Sequence, residues 1–580
     1  MFSIQRLLVA CLAFTAGVAP VNAFPAFGPG ALSSTLGTRA TCSGSNTADD
    51  RSSWCDGFDI NTNYHDEAPD TGVTREYWLE LVNTTLAPDG VERIVLTVNG
   101  TLPGPTIFAD WGDTVVVHVK NGFTDNGTSI HWHGIRQNYT NDQDGVASVT
   151  QCPTAPGETV TYTWRAVQYG STWYHSHFSL QAWEGVFGGV IINGPASSNY
   201  DHDAGVLFLT DWSHETVDAL WETAQTSGAP VMENALINGT NVYESDDGEV
   251  GSRFSMAVTA GDSYRLRLVN SAIDTHFKFM VDNHTLTVIG NDLVPIEPYN
   301  TTMVNIFIGQ RYDVILTANQ EDIGTDFWMR AIPQDACSDN DSTDNIKGIL
   351  HYGTSTADAT DPTTTGYSYT DECVDEPYES LVPIVSATAS SSTYDPDETA
   401  SVTINSENHF RWTLNSYSFF SEWEDPTLLQ IYNNDTVYNA TQNVIEVPDA
   451  NVWVYLVIET SIGVPHPIHL HGHDFLLIGY GTGTYDPDNT TVQLSNPPRR
   501  DTATLPGTGY IIMAFETDNP GAWLTHCHIG WHTSEGFALQ FIERYDEILA
   551  TVDTDALTDS CTVWTAYAEE NDIEEEDSGV

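Results

Sequence analysis

Apolar and polar residues alternate in short runs along most of the chain, and one of these runs recurs. Within residues 112–121, the apolar side chains of Val115, Val117 and Val119 are separated by single residues. Residues 261–270 repeat the pattern at a spacing of 149 residues. Alternation with a period of two predicts a strand that packs one face on a core. The recurrence predicts a repeated β-domain.

Two further features extend the repeat. An Asn-Gly-Thr turn precedes each copy, at 99–101 and 238–240, and a weaker third alternating run occupies residues 452–458. The 44 glycines and 27 prolines, together with few helical periodicities, favour short strands joined by turns. The pattern predicts an all-β protein of three consecutive Greek-key barrel or sandwich domains. From the polar, Pro-rich or Ser-rich connections, we expect the domains to span residues 40–197, 198–390 and 391–580.

The N-terminus has the features of a secretory signal peptide over residues 1–23. Arg6 precedes an apolar run at 7–18, and Ala23 ends a small-residue cleavage site. Residues 24–39 are expected to be a pro-segment. Because no later apolar run reaches about 18 residues, we predict a secreted protein without a membrane segment. Glycosylation motifs, which suit secretion, begin at Asn83, Asn99, Asn126, Asn138, Asn238, Asn283, Asn300, Asn340, Asn434, Asn439 and Asn489.

Acidic residues outnumber basic ones by 80 to 19, which gives a formal charge of −61. Nucleic acids and anionic membranes would be repelled, so we expect neither as a partner. General solubility is one explanation of this charge. Adaptation to acidic or salty surroundings is the other.

The cysteine count leaves one thiol over. Removing Cys11 with the signal peptide leaves seven of the eight cysteines, an odd number in an oxidising compartment. If Cys527 is the unpaired residue, the other six can form three disulfides, and their pairing stays open. A free or intermolecular thiol is the alternative to a functional role for Cys527.

The histidines form four clusters, at 131–133, 173–177, 466–471 and 523–528. The first and third copies each hold an earlier and a later cluster in corresponding places, and the middle copy holds none of them. Two half-sites brought face to face would offer eight His-x-His histidines to a shared metal site. The middle copy is interpreted as a spacer. Surface or structural pairs are the alternative for any single cluster.

Ligand type points to copper, because a histidine-rich site with one thiolate suits copper better than calcium or iron–sulfur clusters. Zinc is the competitor, but zinc would not explain a lone cysteine between histidines. If residues 524–529 are extended, Cys527 points to one face and its two histidine neighbours to the other. Cys527 would then join His466 and His532 in a blue-copper site. Electrons would cross a few bonds from there to the histidine cluster.

The axial position of that site is expected to lack a ligand. No methionine follows Cys527, and Phe537 stands ten residues after it. Because an apolar neighbour cannot donate electrons to Cu(II), Phe537 should favour Cu(I) and raise the potential.

The strings HWHG, WYHSH, HPIHLHGHDF and HCHIGWH resemble the four copper-binding signatures of the multicopper oxidases, specifically the laccases. NPPRRDT at 496–502 and the terminal DSGV resemble ascomycete laccases. The resemblance covers nearly all of the mature chain and implies three cupredoxin-like domains and four coppers. By the same match, type 1 copper would bind His466, Cys527 and His532, and type 2 copper would bind His131 and His469. One type 3 copper would bind His133, His175 and His528, and its partner His177, His471 and His526.

The resemblance also implies the reaction. Phenols or aryl amines would each lose one electron, and dioxygen would be reduced to water. Asp144 would relay protons, with a turn residue as the alternative. Asp274 would accept the hydrogen of the donor, with a surface turn as the alternative. The domain at 198–390 would contribute to the donor pocket.

Other implications concern the chain ends and the cross-links. Residues 577–580 would plug a channel to the cluster without needing C-terminal trimming, although a disordered tail is the alternative. His473 is interpreted as structural, and a monomer is expected. The family pairing of cysteines would be Cys42–Cys55, Cys152–Cys561 and Cys337–Cys373.

Three questions stay open at this point. A ferroxidase or bilirubin oxidase would share every copper ligand, and a copper-binding protein without oxidase activity would share the fold. The physiological donor is also open, among lignin breakdown, pigment synthesis and detoxification.

Overall fold

The computed structural model describes residues 46–391, 398–405, 411–435, 437–573, 575 and 577–580. The signal peptide, the pro-segment and Cys42 lie outside these residues.

The described chain is built mainly from strands, which fall into three successive groups. The first group is β1 (Thr74–Leu86), β2 (Arg93–Val98), β3 (Gly104–Asp110), β4 (Thr114–Asn121), β5 (Ile130–Trp132), β6 (Thr159–Arg165), β7 (Gly170–Ser176) and β8 (Phe187–Asn193). The second group is β9 (His202–Trp212), β10 (Asn234–Ile237), β11 (Val242–Ser245), β12 (Gly248–Gly251), β13 (Ser255–Val258), β14 (Ser263–Asn270), β15 (Phe277–Val281), β16 (Leu286–Asn291), β17 (Val294–Thr301), β18 (Val304–Ile306), β19 (Arg311–Thr317), β20 (Asp326–Pro333) and β21 (Lys347–Tyr352).

The third group is β22 (Glu398–Asn405), β23 (Arg411–Leu414), β24 (Val444–Val447), β25 (Trp453–Thr460), β26 (His466–Leu470), β27 (Phe475–Thr482), β28 (Arg499–Arg500), β29 (Thr502–Leu505), β30 (Gly509–Glu516), β31 (Gly521–Cys527) and β32 (Ala538–Glu543). The helices are α1 (Val217–Ser227), α2 (Thr427–Tyr432), α3 (Gly530–Ser534), α4 (Tyr545–Ile548) and α5 (Thr554–Asn571).

Each group forms two main sheets, with strand orders that depart from chain order. The first group gives β2-β1-β4-β6 and β3-β8-β7-β5. The second gives β10-β9-β14-β19-β16-β17 and β13-β21-β20-β15-β18, and the third gives β23-β22-β25-β30-β27-β28 and β24-β32-β31-β26-β29. Such crossovers between paired sheets are typical of Greek-key sandwiches. The predicted all-β class is confirmed.

The repeated strands pack differently. In β4, Val115, Val117 and Val119 are fully buried, whereas the residues between them are only partly buried, as the alternation predicts. In β14 nearly every residue is buried. Its polar positions include Arg265 and Arg267, which are buried because they form ion pairs with carboxylates. Because these arginines are paired, both faces of β14 can be buried in the second copy.

The Asn-Gly-Thr segments form matching tight turns. Asn99 and Asn238 adopt left-handed backbone angles, with φ of 54° and 51°, and the following glycines have φ of 75° and 82°. Two consecutive positive φ values define a primed turn, which Asn-Gly favours. These turns occupy corresponding positions in the first two copies.

The long C-terminal helix α5 was not predicted. The side chain of Asp553 accepts a hydrogen bond from Ala556 N at 3.1 Å and so caps the N-terminus of the helix. On its buried face, Cys561 forms a disulfide with Cys152, and Cys337 pairs with Cys373 elsewhere. These two predicted disulfides are confirmed, and the third includes Cys42, outside the described residues. Within the described ranges, no helix is both long and apolar enough to span a membrane.

Candidate metal centre

Strand β31 carries the segment on which both predicted copper sites depend. It lies between β32 and β26, with His526 opposite Ala538 and Cys527 opposite Ile468. Every residue of the strand is buried. Because side chains alternate along a strand, His526 and Cys527 leave it on opposite faces. Neighbours in the sequence therefore enter two different clusters.

Cys527 lies with His466 and His532 on one face of β31, and we call these three residues the sulfur site. The Sγ atom lies 3.5 Å from Nδ1 of His532 and 3.8 Å from Nδ1 of His466. The two nitrogens are 3.2 Å apart. Within the described chain, Cys527 is the free cysteine, and it is fully buried. One sulfur and two imidazole nitrogens form the donor set of a blue-copper site.

Aromatic rings cover the sulfur site. The ring centroid of Phe537 lies 5.0 Å from that of His466, and the ring of Trp412 lies 4.0 Å from that of His532. The backbone N–H of Cys527 donates to the carbonyl of Phe537 at 3.1 Å. Met513, the last methionine of the chain, lies on β30 instead. Phe537 therefore stands beside the site and offers it no donor atom.

The eight histidines of the His-x-His motifs meet on the other face, and we call them the histidine site. Strands β5 and β7 place His131 opposite His175, and β26 and β31 place His469 opposite His526. The remaining members are His133, His177, His471 and His528. Each half of the site is thus built by two paired strands, as the symmetry of the sequence suggests.

Rings from the two halves are in direct contact. The centroids of His131 and His471 are 3.9 Å apart, as are those of His133 and His469. Nδ1 of His133 lies 3.2 Å from Nε2 of His528. The two halves therefore form one cluster.

Unpaired nitrogens show that this cluster fits a metal. Seven ring nitrogens of the histidine site are buried without a hydrogen-bond partner in the described structure. Leaving a buried polar group unpaired costs about 1–3 kcal/mol, so protein contacts alone do not account for them. In one group, the candidate ligand atoms of His177, His471 and His526 lie within 4.8 Å of one another. Bound cations would satisfy these nitrogens.

Burial keeps these residues in a form that suits ligation. Burial is the main cause that lowers the pKa of His177, His471 and His526 well below the usual histidine range. It also lowers the pKa of His466 to about 3, so these imidazoles are neutral at ordinary pH. Burial raises the pKa of the Cys527 thiol well above its usual range. A bound metal ion would favour loss of the thiol proton and would stabilise the thiolate of Cys527.

Asp144 joins the two halves of the histidine site. Its Oδ2 lies 2.9 Å from Nδ1 of His471, and its backbone oxygen lies 2.9 Å from Nδ1 of His131. The side chain is fully buried. The next residue, Gly145, has φ of +77°, and a Cβ at this position would lie only 1.8 Å from the carbonyl oxygen of Ile130. Only glycine, which has no Cβ, therefore allows the backbone to hold Asp144 here. Asp144 thus fixes which ring nitrogens face the centre of the site.

Asp501 also contacts one histidine from each half of the histidine site, and it was not predicted as a site residue. Its backbone oxygen lies 2.8 Å from Nδ1 of His469, and its Oδ1 lies 3.2 Å from Nε2 of His133. The sequence signal was present, because Asp501 belongs to the string at 496–502 that supports the family resemblance. That string carried no chemical reason to place it near histidines.

Comparison with known proteins assigns the family. Profiles of three multicopper oxidase domains match residues 80–197, 203–355 and 391–547. The chain is 48% identical to Laccase-2 of Botryotinia fuckeliana, over 94% of each chain. The chain belongs to the multicopper oxidases, in the group of fungal laccases. A laccase of Neurospora crassa is 39% identical, over 93% of this chain and 89% of the relative.

Solved structures agree with this family. The crystal structure of a laccase from Botrytis aclada matches with a TM-score of 0.88 and 47% identity, over 92% of this chain and 100% of that chain. Fet3p, a multicopper oxidase that functions in iron import, matches with a TM-score of 0.75 and 27% identity, over 87% of this chain and 96% of that chain. These matches confirm the predicted fold of three cupredoxin-like domains. They also confirm the predicted function, a laccase-type multicopper oxidase, and its four coppers per chain.

Asp274 of this laccase lies in a loop that contacts α3, the helix that carries His532 of the sulfur site. The N–H of Gly530 in α3 donates to the carbonyl of Ile273 at 2.9 Å. Asp211 holds the loop, since its carboxylate accepts backbone N–H groups of Ile273 at 2.8 Å and of Asp274 at 3.1 Å. Burial, followed by the charge of Asp211, raises the pKa of Asp274 to about 8. Asp274 is 8% exposed, so the surface-turn alternative describes it poorly.

Two further positions of the laccase differ in their surroundings. His473 turns away from the histidine site, with Nε2 3.0 Å from a carboxylate oxygen of Glu543. The C-terminal residues 577–580 are buried, and the indole N–H of Trp423 donates to the carbonyl of Gly579 at 3.2 Å. Asp577 hydrogen-bonds to Ser179, two positions after His177. The tail therefore packs beside a strand end that carries a predicted ligand.

Proposed function

We propose that the sulfur site and the histidine site hold the four coppers of this laccase, and that phenols and aryl amines are its donors. When bound, copper would supply one-electron acceptance from the donor and four-electron reduction of dioxygen to water. The proposed type 1 ligands are His466, Cys527 and His532, and the type 2 ligands are His131 and His469. The proposed type 3 ligands are His133, His175 and His528 for one ion, and His177, His471 and His526 for the other.

One observation carries this assignment. Along β31, Cys527 enters the sulfur site while His526 enters the histidine site from the preceding position in the chain. The unpaired nitrogens and the neutral imidazoles support it independently. A single strand thus joins the place where donors deliver electrons to the place where oxygen is reduced.

We propose that Asp144 holds and returns protons at its carboxylate oxygens. Water formation consumes four protons for each dioxygen, so a buried site needs a group that can deliver them. Asp144 is a buried carboxylate whose oxygens contact His131 of one half and His471 of the other. The turn-residue alternative explains its chain position, but not these contacts.

We propose that Asp274 accepts the hydrogen that a phenol or aryl amine loses on oxidation. A carboxylate with a pKa of about 8 is a stronger base than an ordinary one. Its loop contacts the helix that carries His532, so a donor above that histidine would be within its reach. The loop lies in the middle domain, which supports a role for that domain in the donor pocket.

We also propose the remaining organisation of the chain. Residues 1–23 would direct secretion and 24–39 would form a pro-segment, before domains at 40–197, 198–390 and 391–580. The family profiles match residues 80–197, 203–355 and 391–547, so each profile lies within one of the three proposed domains. The protein would act outside the cell as a monomer, and its C-terminal residues 577–580 would close a channel to the histidine site.

Copper analysis and oxygen uptake test the proposal together. We expect four coppers per chain, a blue absorption band and one dioxygen consumed per four molecules of phenol oxidised. Cys527→Ser should lose the blue band and one copper, and Thr525→Ser on the same strand is the control. Retention of the blue band in Cys527→Ser would refute the assignment of the sulfur site.

The donor class is tested by comparing phenol, Fe(II) and bilirubin with the same preparation. We expect the highest kcat/KM for the phenol. A higher kcat/KM for Fe(II) or for bilirubin would contradict the proposed donor class while leaving the copper assignment intact.

A further inference from the structure

We infer that Arg311 of the middle domain is a positioning residue for the histidine site and acts through Asp501. The inference rests on the ligand assignment proposed above. The middle domain was interpreted as a spacer because it holds none of the histidine clusters. The contacts of Arg311 give this domain a second role, which is to orient histidines that other domains supply.

Arg311 and Asp501 form a bidentate ion pair. Nη1 of Arg311 donates to Oδ1 of Asp501 at 2.7 Å, and Nη2 donates to Oδ2 at 2.5 Å. Arg311 is fully buried and Asp501 is 2% exposed. A planar guanidinium that binds both oxygens fixes the plane of the carboxylate, which a single point charge cannot do.

The fixed carboxylate faces two proposed ligands. Oδ1 of Asp501 lies 3.2 Å from Nε2 of His133 and 3.5 Å from Nδ1 of His469. The other nitrogen of His133, Nδ1, faces His528, and the other nitrogen of His469, Nε2, has no hydrogen-bond partner. A carboxylate at that position orients the ring and sets which nitrogen faces the metal. His133 and His469 belong to different proposed copper ions, so one ion pair serves both.

A second carboxylate holds the ion pair in place. Asp292, also fully buried, accepts the backbone N–H of Arg311 at 3.0 Å and lies 3.4 Å from its guanidinium. It also accepts the backbone N–H of Asp501 at 3.2 Å and the side chain of Arg500 at 3.1 Å. The carboxylate of Asp292 therefore holds the backbone of both Arg311 and Asp501 and also contacts the side chain of Arg311.

Two glycines show how tightly the pair is enclosed. A Cβ on Gly134 of the first domain would lie 2.3 Å from Oδ2 of Asp501 and 2.4 Å from Nη2 of Arg311. A Cβ on Gly309 of the middle domain would lie 2.8 Å from the ring of His528. All three domains thus contact one another at this pair, with no room for the carboxylate to turn.

Electrostatics agrees with this geometry. Burial disfavours a charged carboxylate, and the two short contacts from the guanidinium of Arg311 to Asp501 offset this cost. Removing one member of a buried pair leaves an isolated charge, so loss of stability is expected as well as any effect on copper. The experiment must separate these two effects.

The test compares Arg311 with a matched arginine. Arg330 makes a bidentate pair with buried Asp282 at 2.7 and 2.8 Å, wholly within the middle domain. We would prepare Arg311→Lys, Arg311→Met, Arg330→Lys and Arg330→Met in the full-length, copper-loaded protein. Readouts are copper per chain after dialysis against a chelator, the type 2 electron paramagnetic resonance spectrum and the unfolding midpoint in denaturant.

We expect both Arg311 variants to alter the type 2 spectrum and to weaken retention of type 2 copper by about 10- to 100-fold. Arg330 variants should lower the unfolding midpoint while keeping the wild-type spectrum and four coppers. Arg311→Lys retains the charge, so a changed spectrum in this variant identifies the bidentate geometry as the cause. If Arg311→Met does not fold, Arg311→Lys and Asp501→Asn decide the question.

A type 2 spectrum and copper retention that match wild type in Arg311→Lys and Asp501→Asn would overturn the inference. His469→Ala separates this failure from failure of the ligand assignment. If His469→Ala retains all four coppers, the assignment is wrong. If it loses type 2 copper while the Arg311 variants keep it, only the positioning role is wrong.

Discussion

Oδ2 of Asp144 and Nδ1 of His471 lie 2.9 Å apart, although 327 positions separate the two residues in the chain. The first domain therefore contributes an acid that contacts a proposed copper ligand of the third domain. This contact makes Asp144 part of the shared site rather than of its own turn.

Asp144→Asn should slow oxygen reduction without removing copper. The amide has the same size but cannot hold a proton, and loss of a positioned acid or base costs about 10²- to 10⁴-fold in rate. We expect four coppers per chain, normal bleaching of the blue band by phenol and slow return of that band in oxygen. Asp113→Asn, another buried carboxylate of the first domain, is the control. Wild-type reoxidation in Asp144→Asn would exclude the proton role.

Phe537→Met should lower the potential of the type 1 site. A thioether can donate to Cu(II), whereas the phenyl ring beside His466 cannot. The shift is about 59 mV for each tenfold change in the ratio of the Cu(II) and Cu(I) affinities. Redox titration of the blue band measures it, with Phe537→Leu as an apolar control. A potential equal to wild type in Phe537→Met would show that position 537 is not axial.

Asp274→Asn should flatten the pH dependence of phenol oxidation. Above a pKa of about 8 the wild-type carboxyl is ionised and accepts a proton, so the variant loses most activity on the alkaline side. A donor without an ionisable hydrogen, such as ferrocyanide, is the control and should be unaffected. An unchanged phenol profile would remove Asp274 from the mechanism.

The same variant makes a stability prediction with a definite sign. Folding raises the pKa of Asp274 from 3.8 to about 8, so its contribution to stability is complete below pH 3.8 and is lost as pH rises through 8. Asp274→Asn should therefore match wild type near pH 4 and exceed it above pH 8. Denaturant midpoints at both pH values measure the difference. A variant that is less stable at high pH would contradict the raised pKa.

Gly145→Ala should disturb the histidine site more than Gly157→Ala. Both glycines have positive φ, +77° and +83°, so each variant loses about 1–2 kcal/mol from the backbone conformation. A Cβ at 145 also meets the backbone at 1.8 Å, whereas at 157 nothing lies within 4 Å. We expect a larger fall of the unfolding midpoint and loss of copper only in Gly145→Ala. Equal effects in both variants would show that the close approach at Gly145 is unimportant.

Deleting residues 577–580 should change oxygen kinetics more than phenol kinetics. The deletion uncovers the surroundings of Ser179 and removes buried Val580, whose burial contributes about 1.5–3 kcal/mol. We expect an altered KM for dioxygen, an unchanged KM for phenol and a lower unfolding midpoint. Val580→Ala, which keeps the length of the chain, controls for the lost packing. An unchanged KM for dioxygen would favour a purely structural tail.

Local patterns in the sequence predicted the strands and the grouping of the histidines. The alternation at Val115, Val117 and Val119 describes β4 because one face of that strand meets the core. The same alternation rule fails at Arg265 and Arg267. Both side chains are buried because they form ion pairs with carboxylates that lie elsewhere in the chain. Such pairing depends on distant residues and has no local signal.

Helix α5 was missed although a signal existed. Its buried residues Leu557, Cys561, Trp564 and Ala568 follow a helical period, and Asp553 is a suitable cap. Frequent strands and turns elsewhere obscured this short pattern. The pairing of Arg311 with Asp501 had no comparable signal, because 190 positions separate the two residues.

The division of the histidine site between the first and third domains has a consequence for biosynthesis. Domains tend to fold in order as a chain leaves the ribosome. A nascent chain with a folded first domain presents His131 and His175, but their partners at 469–528 are not yet made. Cys152 likewise waits for Cys561, 409 positions later. The histidine site therefore cannot be completed before residues 469–528 of the third domain have been synthesised.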